Sequence, residues 1–332
     1  MTDQTTAHSD EIKPRAGFLK TAWQRFDWQD YVVYIAFVII FIVFSINLYD
    51  DGFLSQNNLL NIVRQTATIS VMAVAMTFVL SSAEIDLSVG AVAGLASVTT
   101  ALVIGQAGLV VGVAAGLLTG LLVGMLNGVL VTRVGIPSFL VTLGMLGVAK
   151  GTAMWITDTA PVPIADQTYT DIFGSGNLGP IPSLIIWTAL FLVGGHIVLR
   201  GTLYGRQVLA TGGNETAARY SGINTKRIKF LTLMISSMVA ALAGMLYAGR
   251  LHSGRFQWGE GDELSVIAAV VLGGTSLFGG MGTVVGTIIG SLLIGLINNG
   301  LILMGLEFSQ QLIVRGAIII LAVALTGRKT QS

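Results

Sequence analysis

Arg200, Arg206, Arg219, Lys226, Arg227 and Lys229 place six of the chain's eighteen Lys and Arg residues between two long apolar stretches. Cations clustered beside a membrane can hold lipid phosphates or help present a surface to another protein. Inside this stretch stands Gly212-Gly213-Asn214-Glu215-Thr216-Ala217-Ala218-Arg219-Tyr220-Ser221-Gly222. Asn214 is a good helix cap, and Glu215 sits where the helix dipole favours an acid. Ser221-Gly222 supplies a stop. The spacing predicts a helix of roughly two turns, too short to be stable alone in water. It needs something to dock against, either the headgroup layer or a second protein.

Polar groups among apolar residues form the second set. Glu84 and Asp86 interrupt a long apolar run in Ser82-Ala83-Glu84-Ile85-Asp86-Leu87-Ser88. A carboxylate at membrane depth must be paired or face water. Asp86, two residues before Ser88, also suits a helix entry. Capping, solute contact and proton relay are all open to this pair. Asn127, Thr142, Asn298 and Asn299 are neutral hydrogen-bonders suited to a polyhydroxylated solute, and equally suited to gluing helices together. Lys150 and Arg315 lie within apolar segments and need carboxylate or carbonyl partners.

Other chemistries lack their residues. There is no cysteine, and therefore no disulfide or thiolate site. His8, His196 and His252 are scattered and show no metal-ligand spacing. Neither a Gly-x-x-x-x-Gly-Lys-Ser/Thr phosphate loop nor a Gly-x-Ser-x-Gly elbow occurs. A catalytic role is not expected.

The elements that carry these groups are apolar helices. The chain is 53% apolar and 11% charged, with a mean hydropathy of +0.78. A soluble domain carries about a quarter charged residues. Apolar runs near the length that crosses a bilayer recur throughout. Ten segments are expected: 31–49, 59–80, 87–104, 109–132, 138–157, 183–199, 228–249, 264–275, 282–304 and 308–326. The segment 264–275 is too short to cross unaided. The domain plan is a tail over 1–30, a membrane domain over 31–326 containing the basic loop 200–229, and a tail over 327–332. The N-terminal tail does not read as a cleaved signal, since Asp3, Asp10 and Glu11 intrude. Basic residues favour the cytoplasmic side. They place both termini and the 200–229 loop inside. The 158–182 loop, with Asp158, Asp166, Asp171 and no Lys or Arg, falls outside. Arg250 and Arg255 run against this rule.

An internal echo is visible. Asp86-Leu87-Ser88-Val89 and Glu263-Leu264-Ser265-Val266 are each followed by Asn-Gly in a glycine-laddered segment, at Asn127-Gly128 and Asn299-Gly300. Gly112, Gly116, Gly120 and Gly124 form one ladder; Gly282, Gly286 and Gly290 form the other. Small residues at this spacing let helices approach closely in lipid. Repeated halves with interrupted helices are a transporter feature.

From about Asn58 to Arg328 the chain resembles the ribose-type permeases, membrane subunits of bacterial ABC importers for monosaccharides and related small solutes. The resemblance lies in Glu84-Ile-Asp-Leu-Ser-Val-Gly90, Asn127-Gly128, Ile136-Pro-Ser-Phe-Leu-Val-Thr-Leu-Gly144, Tyr204-Gly-Arg206, the 212–223 segment, and Glu263 through Gly280. Ala83-Glu84 departs from a Gly-Gly found in many relatives, so no family role is carried to Glu84. The resemblance implies an all-α polytopic fold of about ten transmembrane helices, some short or broken, with an internal repeat. It implies a second permease copy or paralogue, a cytoplasmic ABC ATPase, and a periplasmic or lipid-anchored solute-binding protein. ATP would bind the ATPase, with no cofactor on this chain, and no nucleic-acid partner is implied. Gly212, Gly213, Asn214, Glu215, Ala217, Ala218, Arg219, Ser221 and Gly222 would form the coupling helix held by the ATPase. Asp86, Ser88, Asn127, Thr142, Asn298 and Asn299 are the pathway candidates. The competing expectation is an ion-coupled secondary transporter that uses Glu84 or Asp86.

Overall fold

The computed structural model describes residues 32–326. The two tails, 1–30 and 327–332, lie outside the described residues. All ten apolar segments are helical. They are α1 (Val32–Asn47), α2 (Gln56–Ser81), α3 (Val89–Ala107), α4 (Leu109–Val129), α5 (Ser138–Ile156), α7 (Ser183–Gly201), α10 (Thr225–Leu251), α11 (Asp262–Leu272), α12 (Val284–Leu303) and α13 (Phe308–Thr326). Seven of these are long and apolar enough to cross a membrane: α2, α3, α4, α5, α7, α10 and α12. A π-helical turn, Leu130–Val134, extends α4. Three further helices are short: α6 (Gln167–Phe173), α8 (Leu203–Gly213) and α9 (Glu215–Tyr220).

Helix α2 is the most enclosed, and α7 shows most of its apolar surface. That contrast fits a bundle in lipid, where apolar side chains face outward as readily as inward. Association then rests on close packing and interhelical hydrogen bonds. The glycine ladder of α4 supplies the packing. A Cβ on Gly120 would lie 2.5 Å from Ala241 Cβ, and one on Gly124 would lie 2.7 Å from Met234 Cα, both on α10. The second ladder works the same way, with Gly290 against the Ala269 carbonyl of α11 at 2.2 Å.

Hydrogen bonds join α2 to the antiparallel α12 along their length. Ser70 and Ser291 hydroxyls meet at 2.6 Å, and Thr77 and Thr287 at 2.9 Å. Asn58 and Asn299 exchange amide hydrogen bonds of 3.0 and 2.8 Å.

At one end, the 158–182 segment folds over the bundle. Tyr169 of α6 donates to the Met245 carbonyl at 2.8 Å. Strands β1 (Val162–Pro163) and β4 (Ser253–Gly254) pair antiparallel, so the 158–182 and 250–263 segments share that end. A second small hairpin pairs β2 (Asn177–Leu178) with β3 (Ile181–Pro182). At the other end, α8, α9 and the 273–283 loop surround the end of α2. Gly280 N–H donates to the Ser81 carbonyl at 3.0 Å. A Cβ on Gly212 would lie 1.9 Å from that same carbonyl.

Candidate functional site

The interruption after α2 is built from its own backbone. Ala83 N–H bonds the Leu80 carbonyl, and Glu84 N–H bonds the Val79 carbonyl. This is a Schellman stop, which requires a left-handed residue at its turn. Ala83 fills that place at φ 61°, where glycine would be unstrained. The stop explains why the apolar run ends at Ser81 and aims Glu84 back towards the bundle end.

Beyond it, residues 85–88 are fixed by neighbouring helices. Ile85 N–H donates to Ser138 Oγ at 3.1 Å, and Leu87 N–H donates to Thr142 Oγ1 at 3.1 Å. Asp86 is fully buried, and its Oδ1 accepts from Ser88 N–H at 2.9 Å and Ser88 Oγ at 2.6 Å. Asn127 Nδ2 donates to Ser88 Oγ at 3.1 Å. Hydrogen bonds through Asp86 Oδ1, Ser88 Oγ and Asn127 Nδ2 lower the cost of burying these groups. Of the six pathway candidates, four therefore converge here: Asp86, Ser88, Asn127 and Thr142. Asn299 lies elsewhere, occupied with Asn58, and Asn298 is half-buried beside it on α12.

The short helix α9 forms as its residues require. Asn214 Oδ1 accepts from Ala217 N–H at 2.9 Å. Gly222, at φ 86°, closes a second Schellman stop, with Ile223 N–H on the Ala218 carbonyl. Ala218 packs inward, while Ala217, Arg219 and Ser221 are exposed. Tyr220 is 88% exposed. Gly212 and Gly213 belong to the end of α8.

Glu215 ties this helix to its surroundings. Its Oε1 accepts from Arg219 at 3.0 Å and from Thr225 Oγ1 at 3.1 Å. Its Oε2 accepts from Lys229 Nζ at 2.7 Å. The Lys229 hydrogen bond is the main reason its carboxyl lies below the usual carboxylate range. Lys229 Nζ also lies 2.7 Å from Glu84 Oε1. A cavity of about 460 Å³ opens beside these three, bordered by Arg133, Ser138 and Lys226.

Sequence reasoning counted Lys229 only among the loop cations. The signal that finds it is the rule applied to Lys150, that a cation inside an apolar segment needs a carboxylate. Lys150 itself pairs with Glu260. The side chain of Arg315 lies outside the described residues.

A second cavity, of about 350 Å³, lies at the other end of the bundle. Tyr247, Gln257, Trp258, Glu260 and Asp262 border it. The Tyr247 and Trp258 rings are stacked, 6.3 Å between centroids at 20°. Tyr247 donates to Asp262 Oδ2. Aromatic rings beside carboxylates and an amide, with the Arg255 guanidinium 5.4 Å over the Trp258 ring, make a mixed polar and apolar lining suited to a molecule with C–H surfaces and many hydroxyls. Composition and spacing did not reveal this group. It depends on residues 252–261 running back along α3, where Gly94 lies against the Phe256 carbonyl.

Seven helices long and apolar enough to cross a membrane, a polar interruption within the bundle and a capped helix at its end describe a multi-pass membrane protein. The family model described as the permease component of branched-chain amino acid transport systems matches residues 58–323, and the chain belongs to that family. A probable ABC transporter permease of Escherichia coli is 44% identical over 293 residues, covering 87% of this chain and 86% of that protein. A ribose import permease of Bacillus subtilis is 41% identical over 291 residues, covering 87% and 90%. An L-arabinose transport system permease of Escherichia coli is 36% identical over 297 residues, covering 89% and 90%. No solved structure matches the chain. The chain is a permease subunit of an ABC importer, a multi-pass inner-membrane transporter component and not an enzyme. The ion-coupled alternative built on Glu84 or Asp86 is corrected by this membership, and Glu84 is committed to Lys229.

Proposed function

We propose that this permease carries a monosaccharide or a similar small polar solute, and that a separate cytoplasmic ATPase drives it by gripping α9. The observation that carries the docking reading is α9 itself. It is a helix of six residues, capped at both ends, with Ala217, Arg219 and Tyr220 turned outward. So short a helix is stable only where its surroundings hold it. Glu215 supplies the hold on the bundle side, which leaves the outward face for a partner. The sugar-transporting relatives and the aromatic–carboxylate cavity support the solute class.

In this reading the α9 end is cytoplasmic, both termini share that side, and all ten apolar segments belong to the membrane domain. The echo at Asp86 and Glu263 reflects an internal repeat. A second permease copy or paralogue completes the pathway in surrounding lipid. A periplasmic or lipid-anchored binding protein delivers solute at the end formed by 158–182 and 250–263. ATP binds the ATPase, and this chain holds no cofactor and no nucleic acid. Closure of the ATPase pair would move α9 as a rigid body and switch the open side of the pathway.

Tyr220→Asp and Ala217→Arg test this. Each is expected to lower recovery of the ATPase with the permease and to reduce D-ribose and L-arabinose uptake, while membrane insertion is unchanged. Uptake must also stop when the ATPase is deleted and persist under an uncoupler with ATP held constant. Full ATPase recovery with both variants would overturn docking at α9.

A further inference from the structure

We propose that Lys229 is a positioning residue that carries movement of α9 to the interruption at 82–88, through the bridge Glu215–Lys229–Glu84. This inference rests on the docking reading of α9.

The geometry gives one ammonium two carboxylates on two different elements. Lys229 stands in the second turn of α10, with Nζ 2.7 Å from Glu215 Oε2 on α9 and 2.7 Å from Glu84 Oε1 at the interruption. Glu84 is 7% exposed and is anchored by its own N–H to Val79. Glu215 is anchored at the first position of α9 and held further by Arg219 and Thr225. Each carboxylate therefore reports the position of its own backbone, and the lysine spans the gap. Two carboxylates this close repel without a shared cation. Removing Lys229 should accordingly cost more than neutralising either acid, because it leaves two anions facing each other in a partly dehydrated place.

What the bridge acts on is also on view. Glu84 is two residues from Asp86. The intervening backbone is fixed to α5 through Ser138 and Thr142, and Ser88 is fixed to α4 through Asn127. A displacement of α9 that pulls Lys229 therefore loads the segment that joins α2, α4 and α5. The neighbouring cavity of about 460 Å³ leaves room for Lys226, Arg133 and the bridge itself to shift. An ion pair at the edge of such a space can break and re-form, whereas a packed apolar contact would lock the two elements together.

The absence of cysteine allows a direct test. Ile85→Cys places one thiol in the interruption. The full complex, permease with its ATPase in lipid, is treated with a maleimide with and without ADP and vanadate. Nucleotide trapping is expected to change the labelling rate in the otherwise native chain. Lys229→Met should abolish that difference, Lys229→Arg should restore it, and Glu84→Gln should weaken it. In all of them the ATPase is expected to remain bound. A nucleotide-dependent difference preserved in Lys229→Met, or in Glu84→Gln should Lys229→Met fail to insert, overturns the bridge while leaving docking at α9 intact. If Tyr220→Asp and Ala217→Arg both fail to release the ATPase, the docking reading itself falls, and the two failures are distinguishable.

Discussion

The chain interrupts its helices twice with nearly the same residues, and the two places are put to different uses. Asp86-Leu87-Ser88-Val89 enters α3, and Glu263-Leu264-Ser265-Val266 lies in the first turns of α11. At the first, Asp86, Ser88 and Asn127 are sealed in and bond one another. At the second, Asp262 and Glu260 border a cavity beside two stacked aromatic rings. The interruptions also touch, since Gly90 lies against the Gly259 carbonyl and the Glu263 carboxylate. The lesson is that an acid-Leu-Ser-Val sequence marks a helix entry, and the neighbours decide what its acid meets: the Ser88 donors for Asp86, the Gly90 backbone for Glu263.

The largest expected effect comes from forcing the two apart. A Cβ on Gly90 would lie 2.2 Å from the Gly259 carbonyl. Overpacking costs roughly 1–3 kcal/mol where the surroundings can yield, and here the obstacle is backbone. Gly90→Val is expected to abolish uptake and sharply reduce the folded yield in membranes. Normal uptake would show that the contact is dispensable.

Next, the enclosed acid and the reachable amide should behave differently. Asp86→Ala leaves the Ser88 donors unpaired and should destabilise the permease by roughly 1–3 kcal/mol, read as a lowered Tm in detergent. Gln257→Ala, on an exposed side chain, should change stability by less than about 0.5 kcal/mol but raise the KM for sugar uptake. Equal effects on Tm would erase the contrast between the two interruptions.

Smaller in size is Ala83→Gly. Relieving a left-handed alanine should stabilise the stop after α2 by about 1 kcal/mol, read as a raised Tm.

The smallest effect is a pH dependence. Glu215 has its carboxyl lowered, chiefly by the Lys229 hydrogen bond. A lowered carboxyl stabilises the folded arrangement above its ordinary value of about 4.3. That contribution is lost only as pH falls through the lowered value. The Tm in detergent should therefore keep this contribution from neutrality through the ordinary carboxylate range and decline below it. In Glu215→Gln that acid-dependent decline should disappear.

Much of the architecture was legible from residue types. Long apolar runs in a chain with few charges announce membrane helices, because a bilayer core tolerates little else. The segment 308–326 coincides with α13, and Asn214 with Gly222 bounded α9 closely. These are local signals: length, capping and turn chemistry act within a few residues. The ladders were also legible, since a glycine every four residues has few uses other than close packing.

Pairings across the bundle were not legible. Asn299 looked as suited to solute as Asn127 did, yet it faces Asn58, which lies far away in sequence and directly opposite in space. Lys229 looked like one cation among six and is instead shared by carboxylates from two separate elements. Nor did residues 252–261 announce that they run back along α3 and bring Trp258 beside Asp262. The amino-acid sequence by itself determined the ten apolar helices and the caps of α9, because those outcomes follow from hydrophobicity and local hydrogen bonding, whereas α6 and α8 lay inside segments read as loops. Only the tertiary structure decided which buried polar groups satisfy one another. In an apolar surrounding each such group must find a partner, and which partner lies within reach depends on how the helices cross.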